Sequence, residues 1–308
     1  MEKKKILIIA CLFVLSILLQ SCAKKPMKIT TEKNVVTVQD NGVLMRYRHR
    51  DVPFKPYVQE LYSPNGVNVL RDAPSDHLHH HALMYAVAVD GVNFWEEQNA
   101  PGRQTHVSSI NTHIGSRGNI SVGNITGQLD WVNPSNDELL LKESRTIKIY
   151  KAQKHNATIL CWQSSFSVPS GKDSVTLSGS HYFGLGMRFL KSMDTGGEFF
   201  NAAEKEGEVV RGDEKIVRAD WCAYTAKANG KTVTVAMFGD PDNMRHPTHW
   251  FTMTKPFAYL SATLNLYRET LKIQSDKPLV LDYAVVVWDN RVGKEQVQKV
   301  YDWWVKNN

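Results

Sequence analysis

The densest group of chemically capable side chains is a histidine block near residue 80. Four of the eleven histidines fall within Asp76-His77-Leu78-His79-His80-His81. Imidazole titrates near neutral pH, so these side chains can exchange protons with a substrate, and a His-x-His pair can bind a divalent transition metal. Because side chains alternate across an extended chain, we expect His77, His79 and His81 on one face and His80 on the other. The alternative is a polar edge segment whose histidines only form hydrogen bonds.

A second block, Met244-Arg245-His246-Pro247-Thr248-His249-Trp250, follows a turn and opens a strand. Pro247 fixes the backbone between its two histidines. Both blocks stand at strand ends, where loop positions carried by a rigid sheet often form sites. We therefore expect the two blocks to converge at one mouth of the fold. Taken alone, the second block is equally compatible with a structural role.

Other candidate residues are aromatic or charged side chains within strand patterns. Trp95 precedes Glu96 and Glu97, either of which can serve as an acid or a base. Tryptophan faces can stack on sugar rings but also fill protein cores, and a buried ion pair would explain Arg188 equally well. The candidate substrate-binding residues are Asp76, Trp95, Glu97, Arg188, Trp221, Arg245 and Trp250.

Alternating apolar residues between turn sequences, such as Asp40-Asn41-Gly42, predict many short strands. The predicted strands are Val35–Gln39, Val43–Arg48, Tyr57–Tyr62, Leu83–Val89, Gln104–His113, Ile120–Trp131, Glu138–Tyr150, Ala157–Val168, Val175–Tyr182, Leu185–Leu190, Glu214–Tyr224, Thr232–Phe238, Thr248–Thr254, Thr270–Ser275 and Val280–Trp288. Only Lys294–Val305 has helical periodicity, with Asp289 or Asn290 as its expected cap. The pattern favours an all-β, antiparallel sandwich or barrel with a C-terminal helix.

The N-terminus has the pattern of a bacterial lipoprotein signal. Three lysines precede the apolar run Ile6–Leu19, and Leu19-Gln20-Ser21-Cys22 supplies a small residue before a thiol that can be acylated. We expect residues 1–21 to be a signal peptide, Cys22 the lipidation site, 22–26 a tether and 27–308 a single β-sandwich domain. An uncleaved anchor or an ordinary signal peptide is the alternative.

Charge and cysteine content narrow the possible functions. Removal of residues 1–21 takes away three lysines and one glutamate, so the net charge of +6 becomes +4. No basic block suggests nucleic acid, and no phosphate-binding glycine loop, dinucleotide fingerprint or nucleophile elbow is present. Cys161 and Cys222 can either pair in an oxidising envelope or remain buried thiols.

Several motifs occur in the order typical of one protein family. Asp76-His77-x-His79-His80, Asp90–Trp95, Tyr182–Phe189, Ala219–Cys222 and Arg245–Trp250 resemble exported bacterial proteins that carry the label "methane oxygenase PmoA". The resemblance spans about residues 55–288 and implies a galactose-mutarotase-like β-supersandwich in polysaccharide or glycoside use. The family motif covers Asp76 and both histidine blocks, whereas His81 and Met84 depart from it.

Together these observations predict a periplasmic lipoprotein, lipid-anchored on the periplasmic face of the outer membrane, that acts on a glycan or glycoside. We expect His77, His79, His80, His246 and His249 to transfer protons at a sugar, with Asp76 orienting an imidazole. The reaction would be glycoside hydrolysis, β-elimination or epimerisation. A divalent metal ion on His77, His79 and His81 is a possible cofactor. A non-catalytic glycan-binding lipoprotein and a metal-dependent oxidoreductase are the alternatives.

Overall fold

The computed structural model describes residues 26–52 and 54–308. The predicted signal peptide and the lipidation site Cys22 lie outside the described residues, so the envelope location stays a prediction. In the described part, antiparallel strands form three sheets. No helix in these ranges is both long enough and apolar enough to cross a membrane.

Sheet 1 has ten strands and carries the candidate site. In spatial order these are β1 (Lys28–Glu32), β2 (Val35–Gln39), β3 (Val43–Arg48), β4 (Tyr57–Leu61), β5 (Leu83–Ala86), β14 (Gly184–Arg188), β21 (Tyr259–Thr263), β20 (His249–Met253), β17 (Glu214–Arg218) and β16 (Glu208–Arg211). Strands distant in sequence are therefore neighbours at its centre, where β14 lies between β5 and β21.

Sheet 2 has nine strands and stacks on sheet 1. It contains β15 (Glu198–Asn201), β18 (Trp221–Ala228), β19 (Lys231–Gly239), β23 (Leu279–Trp288), β12 (Ala157–Ser167), β11 (Glu138–Ala152), β10 (Ile120–Asn133) and β8 (Arg103–His106), with β9 (Asn111–Arg117) also paired to β10. A four-stranded sheet 3 contains β22 (Leu271–Gln274), β13 (Ser174–Ser178), β6 (Ala88–Val89) and β7 (Val92–Asn93).

The central strands of sheet 2, β12, β18, β19 and β23, are largely buried on both faces, which explains their nearly continuous apolar sequences. In β12, Leu160 and Trp162 belong to the core between the sheets, while Ile159 and Cys161 belong to a second core. This second core lies under helix α1 (Lys294–Asn307), which buries Val297, Val300, Tyr301 and Trp304. The predicted large antiparallel β-sandwich with a C-terminal helix is confirmed.

The cap expected for α1 is wrong. The helix follows Gly293, which has an extended backbone and makes no side-chain cap. Asp289 instead accepts hydrogen bonds from the Ser63 hydroxyl and, at 2.9 Å, from the backbone N–H of Asn65. Its carboxylate therefore fastens a loop of sheet 1 to the end of β23.

Three predicted strands are interrupted where the chain changes sheet or direction. Leu83–Val89 divides into β5 and β6, Gln104–His113 into β8 and β9, and Glu214–Tyr224 into β17 and β18. Strands β1, β7, β15, β16 and β21 were not predicted; the first four are edge strands of two to five residues, too short to show a clear apolar alternation.

Cys161 and Cys222 are buried free thiols. Cys222 faces the core between the sheets, whereas Cys161 faces the core under α1. The two sulfurs lie on opposite faces of sheet 2. Of the two alternatives that the sequence left open, a disulfide or two buried thiols, the structure has the two thiols.

Candidate active site

A cavity of about 300 Å³ lies on the face of sheet 1 that points away from sheet 2. Alternation within β20 explains this placement: Phe251 and Met253 line the cavity, while Trp250 and Thr252 point toward sheet 2. Segments that contain the histidine block, Trp95, Tyr182 and Phe257 surround it. The complete lining is His77, His79, His80, Trp95, Glu96, Tyr182, Arg211, Glu214, Phe251, Met253, Pro256, Phe257 and Tyr259.

The histidine block folds into turns and is not extended. The N–H of His77 donates to the Pro74 carbonyl at 2.9 Å, and the N–H of His80 donates to the His77 carbonyl at 3.0 Å. This curvature brings His77, His79 and His80 together: the rings of His77 and His80 stack at 4.6 Å, and that of His79 meets His80 edge-on at 4.6 Å. The expected separation of His80 from the other histidines is therefore wrong.

The metal site expected on His77, His79 and His81 does not fit this geometry. Nδ1 of His81 lies 3.1 Å from Asp72, and its Nε2 lies 2.9 Å from Glu97, so both of its nitrogens are engaged. A coordinated imidazole points its in-plane lone pair at the ion, but the rings of His77 and His80 are stacked with an interplanar angle of 20°. Within the described ranges, no group of three or more His, Cys, Asp or Glu side chains is arranged to hold a metal ion.

Burial keeps two cavity imidazoles neutral. It lowers the pKa of His80 to about 2, assisted by the neighbouring His79 and His77, and it also lowers the pKa of His79, with Lys55 as the next cause. A neutral imidazole has a lone pair that can accept a proton, but the pKa of about 2 makes His80 a much weaker base than an ordinary histidine. Asp76 contacts an imidazole as expected, since its Oδ2 lies 3.3 Å from Nδ1 of His77.

Two carboxylates also line the cavity. Oε1 of Glu96 accepts a hydrogen bond from the Tyr182 hydroxyl at 3.1 Å. Glu214 lies between Nε2 of His181, at 2.8 Å, and the guanidinium of Arg211, at 2.6 Å. Burial and Glu96 raise the pKa of Tyr182 to about 12, so this hydroxyl stays protonated and is held by a carboxylate.

Glu97, which we expected to bind substrate, belongs instead to a buried ion network. The Lys55 ammonium is completely buried and donates to Oε1 of Glu97 at 2.6 Å and to the Trp95 carbonyl at 3.1 Å. His81 connects Glu97 to Asp72. The network therefore holds the backbone on both sides of Glu96, and Glu96 rather than Glu97 reaches the cavity.

The floor of the cavity is aromatic and depends on one glycine. Trp95 stacks on Phe183 with ring centroids 5.2 Å apart, and its edge lines the cavity beside Tyr259. A Cβ at Gly186 would lie 2.1 Å from the Tyr259 hydroxyl and 2.5 Å from the Trp95 ring. Trp95 Nε1 and Tyr259 Oη are buried without a hydrogen-bond partner in the described part of the chain.

The second histidine block does not join this cavity. His246 lines another cavity of about 750 Å³, and its Nε2 lies 3.3 Å from Asp220. His249 opens β20, where burial lowers its pKa to about 4. His249 lies two residues from Phe251 on β20, but it is not among the residues that line the first cavity. The expected convergence of the two blocks is wrong because His246 lines a different cavity and His249 lines neither of the two. The first block precedes β5, which β14 and β21 separate from β20 in sheet 1.

Four further candidates are structural. Arg245 donates to three backbone carbonyls, and Trp250 is completely buried, with Nε1 donating to the Ala219 carbonyl at 2.7 Å. Trp221 belongs to the core under α1. Arg188 is buried with its guanidinium carbon 3.3 Å from the centroid of the Phe257 ring, so it supports the cavity wall from behind.

Sequence reasoning missed several residues that line the cavity or support it. They are His181, Tyr182, Arg211, Glu214, Phe251, Phe257 and Tyr259. Only a weak signal marked them: His181 and Tyr182 directly precede the Gly184-Leu185-Gly186 stretch, and Glu214 is an acidic residue at the start of an apolar strand pattern. Their proximity follows from the order of strands in sheet 1.

The protein is an antiparallel β-sandwich, and histidine and glutamate side chains line a cavity on one of its sheets. The chain belongs to the family of unknown function DUF6807, which matches residues 34–302. The likeness to the family labelled as a methane oxygenase stays a prediction. Among curated proteins, none matches the chain.

Two solved alpha-galactosidase structures share the fold. The GH36 alpha-galactosidase AgaB from Geobacillus stearothermophilus is 10% identical with a TM-score of 0.51, covering 86% of this chain and 41% of that one. The alpha-galactosidase from Lactobacillus brevis is 6% identical with a TM-score of 0.50, covering 88% and 40%. A putative aldose 1-epimerase from Klebsiella pneumoniae has a TM-score of 0.46 at 10% identity, covering 91% and 86%.

This chain therefore spans about two fifths of the length of the galactosidases it matches. At the level of fold, the predicted large antiparallel sandwich is confirmed.

Proposed function

We propose that the cavity binds one sugar unit of a glycan or glycoside and transfers a proton at it. The observation that carries this proposal is the pairing of a neutral imidazole with a carboxylate-held hydroxyl around an aromatic floor. His79 is the base, and Tyr182, held by Glu96, is the proton donor. His80 contacts the Tyr259 ring at 5.1 Å and Tyr182 contacts the Trp95 ring at 5.4 Å, so both side chains border the aromatic floor.

The chemistry is glycoside hydrolysis, β-elimination or epimerisation, since each requires a base and an acid at one sugar ring. A positioned acid and base each contribute on the order of 10²–10⁴ in rate. Polar side chains that line the cavity, among them Glu96 and Glu214, offer hydrogen bonds to sugar hydroxyls. Phe257 and Phe251 offer apolar surface to the C–H faces of the ring.

The test is a panel of unoxidised and oxidised glycosides and free aldoses, followed by proton NMR for new products and for exchange between anomers. We expect at least one substrate, and a loss of about 100-fold or more in rate for His79→Gln and for Tyr182→Phe. His246→Gln is the matched control, because His246 lies in the other cavity. Full activity of His79→Gln would contradict the proposal. Binding without any turnover would favour the glycan-binding alternative.

The location of the protein in the cell envelope forms a second part of the proposal. A lysine-rich start, a short apolar run and Leu19-Gln20-Ser21-Cys22 support lipidation at Cys22 and attachment to the periplasmic face of the outer membrane. Incorporation of labelled palmitate by cells that express the full chain tests it. We expect label in the wild type and none in Cys22→Ala, and equal labelling of both would refute the assignment.

A further inference from the structure

An exposed aromatic side chain stands just outside the cavity. Tyr267 is 58% exposed, although large apolar side chains are mostly buried in the described part of this protein. Its ring meets that of His181 edge-on at 5.7 Å. His181 in turn contacts Phe251, which lines the cavity, at 5.4 Å. The aromatic lining therefore continues from the cavity floor to the surface and ends at Tyr267.

The loop that carries Tyr267 is fixed in place. The Arg245 guanidinium donates to the carbonyls of Leu264 at 2.5 Å, Glu269 at 2.9 Å and Thr270 at 3.1 Å, so it holds both ends of the loop. Leu266 is buried and anchors the middle. An exposed ring on such a loop loses little freedom when it binds a ligand, because the backbone is already ordered.

The same loop is tied to the wall of the cavity. Arg268 forms an ion pair with Glu208 at 2.9 Å, at the start of β16. Strand β16 ends at Arg211, which lines the cavity and holds Glu214. This ion pair therefore connects the loop of Tyr267 to the strand whose other end lines the cavity.

The volume of the cavity limits what it can hold. At about 300 Å³, it is at the lower end of the range for small-molecule sites, which suits a single ring. A second ring joined to the first must lie outside, over the rim. Tyr267 presents a flat apolar surface there, and its para hydroxyl can bond to a sugar hydroxyl.

We propose that Tyr267 forms an outer subsite that stacks on a second sugar residue, so the preferred ligand is a disaccharide or the end of a glycan rather than a free monosaccharide. This inference rests on the proposed function, because it places the first ring in the cavity. It also gives a role to Arg245, which acts as a positioning residue for the outer subsite.

The test compares affinities for matched sugars by isothermal titration calorimetry. The probes are galactose, glucose and xylose against lactose, melibiose, cellobiose and xylobiose. We expect one disaccharide to bind about 2- to 10-fold more tightly than its own monosaccharide, the range that one aromatic contact supplies. Tyr267→Ala and Arg245→Met remove this gain and change monosaccharide affinity by less than about twofold, whereas Tyr267→Phe keeps most of it. Val107→Ala, which removes an exposed side chain next to β8, is the control and keeps the gain.

Each contrary outcome points to a different failure. If disaccharides bind no more tightly than monosaccharides, or if Tyr267→Ala weakens both equally, the outer subsite is refuted and the proposed function stands. If no sugar binds to the wild-type protein, the proposed function fails and the subsite fails with it.

Discussion

In the buried ion network beneath Glu96, the positive and negative side chains should differ in how much their removal lowers stability. Lys55 has no exposed side-chain surface, and its ammonium has Glu97 as its only ion-pair partner within 4.0 Å in the described residues. Glu97 has two cationic partners, Lys55 and His81. Although burial alone lowers the pKa of His81, hydrogen bonds to Asp72 and Glu97 outweigh it and raise that pKa. Removal of the carboxylate should therefore cost more than removal of the ammonium.

The magnitudes follow from which charge is left without a partner. In Glu97→Gln, the buried Lys55 ammonium loses its counter-charge, and breaking a buried pair in this way costs about 3–5 kcal/mol. In Lys55→Met, Glu97 keeps His81 at 2.9 Å, and the main loss is the hydrogen bond to the Trp95 carbonyl, worth about 1 kcal/mol. We expect the two free energies of unfolding to differ by about 2 kcal/mol or more.

Urea denaturation at pH 7, followed by tryptophan fluorescence, measures both values. The pair formed by Lys172 and Glu138 provides matched controls, because its 2.6 Å distance equals that of Lys55 and Glu97 while its side chains are 28% and 44% exposed. Lys172→Met and Glu138→Gln should each change stability far less than Glu97→Gln, because solvent screens an exposed ion pair. If Lys55→Met is as destabilising as Glu97→Gln, the reasoning about unpaired charge is wrong.

Three further predictions concern pH, thiols and the cavity floor. Burial lowers the pKa of His106 from 6.5 to about 3. Below pH 6.5 the unfolded chain therefore binds a proton that the folded protein does not, and the free energy of unfolding falls by about 1.4 kcal/mol per pH unit. His106→Gln should flatten the decline measured by denaturation between pH 6.5 and 4, and an unchanged slope would contradict this. Burial raises the pKa of Cys161 and Cys222, so a thiol reagent such as Ellman's reagent should label neither until the protein unfolds; rapid labelling of the native protein would argue against their burial. Gly186→Ala should lower stability by about 1–3 kcal/mol and abolish sugar binding, whereas Gly293→Ala, where an added methyl group meets open space, should do neither.

Much of the sandwich was predictable because period-two alternation and turn chemistry are local properties. The predicted bounds of Val35–Gln39 and Val43–Arg48 are those of β2 and β3. The prediction failed where the chain passes from β17 to β18, between Arg218 and Trp221. Only Ala219 and Asp220 separate the two strands, and no glycine or proline there signals a turn.

The candidate site was predictable in composition but only partly in arrangement. The density of histidines identified His77, His79 and His80, yet backbone hydrogen bonds of the turn decide that His81 points elsewhere. Glu214 reaches the cavity because β17 pairs with β20, which in turn pairs with β21 in sheet 1. Strands β17 and β20 are far apart in the sequence. Such contacts depend on strand order, which alternation does not encode.

The central claim is that a sugar binds among the histidines of the first block and not at the second. The most direct measurement is a sugar titration followed through the imidazole carbon–proton NMR signals, each assigned by single substitutions. We predict that the signals of His77, His79 and His80 shift in proportion to the fraction of protein bound to sugar, while the chemical shifts of His246 and His155 do not change. Shifts at His246 with none at His79 would contradict it.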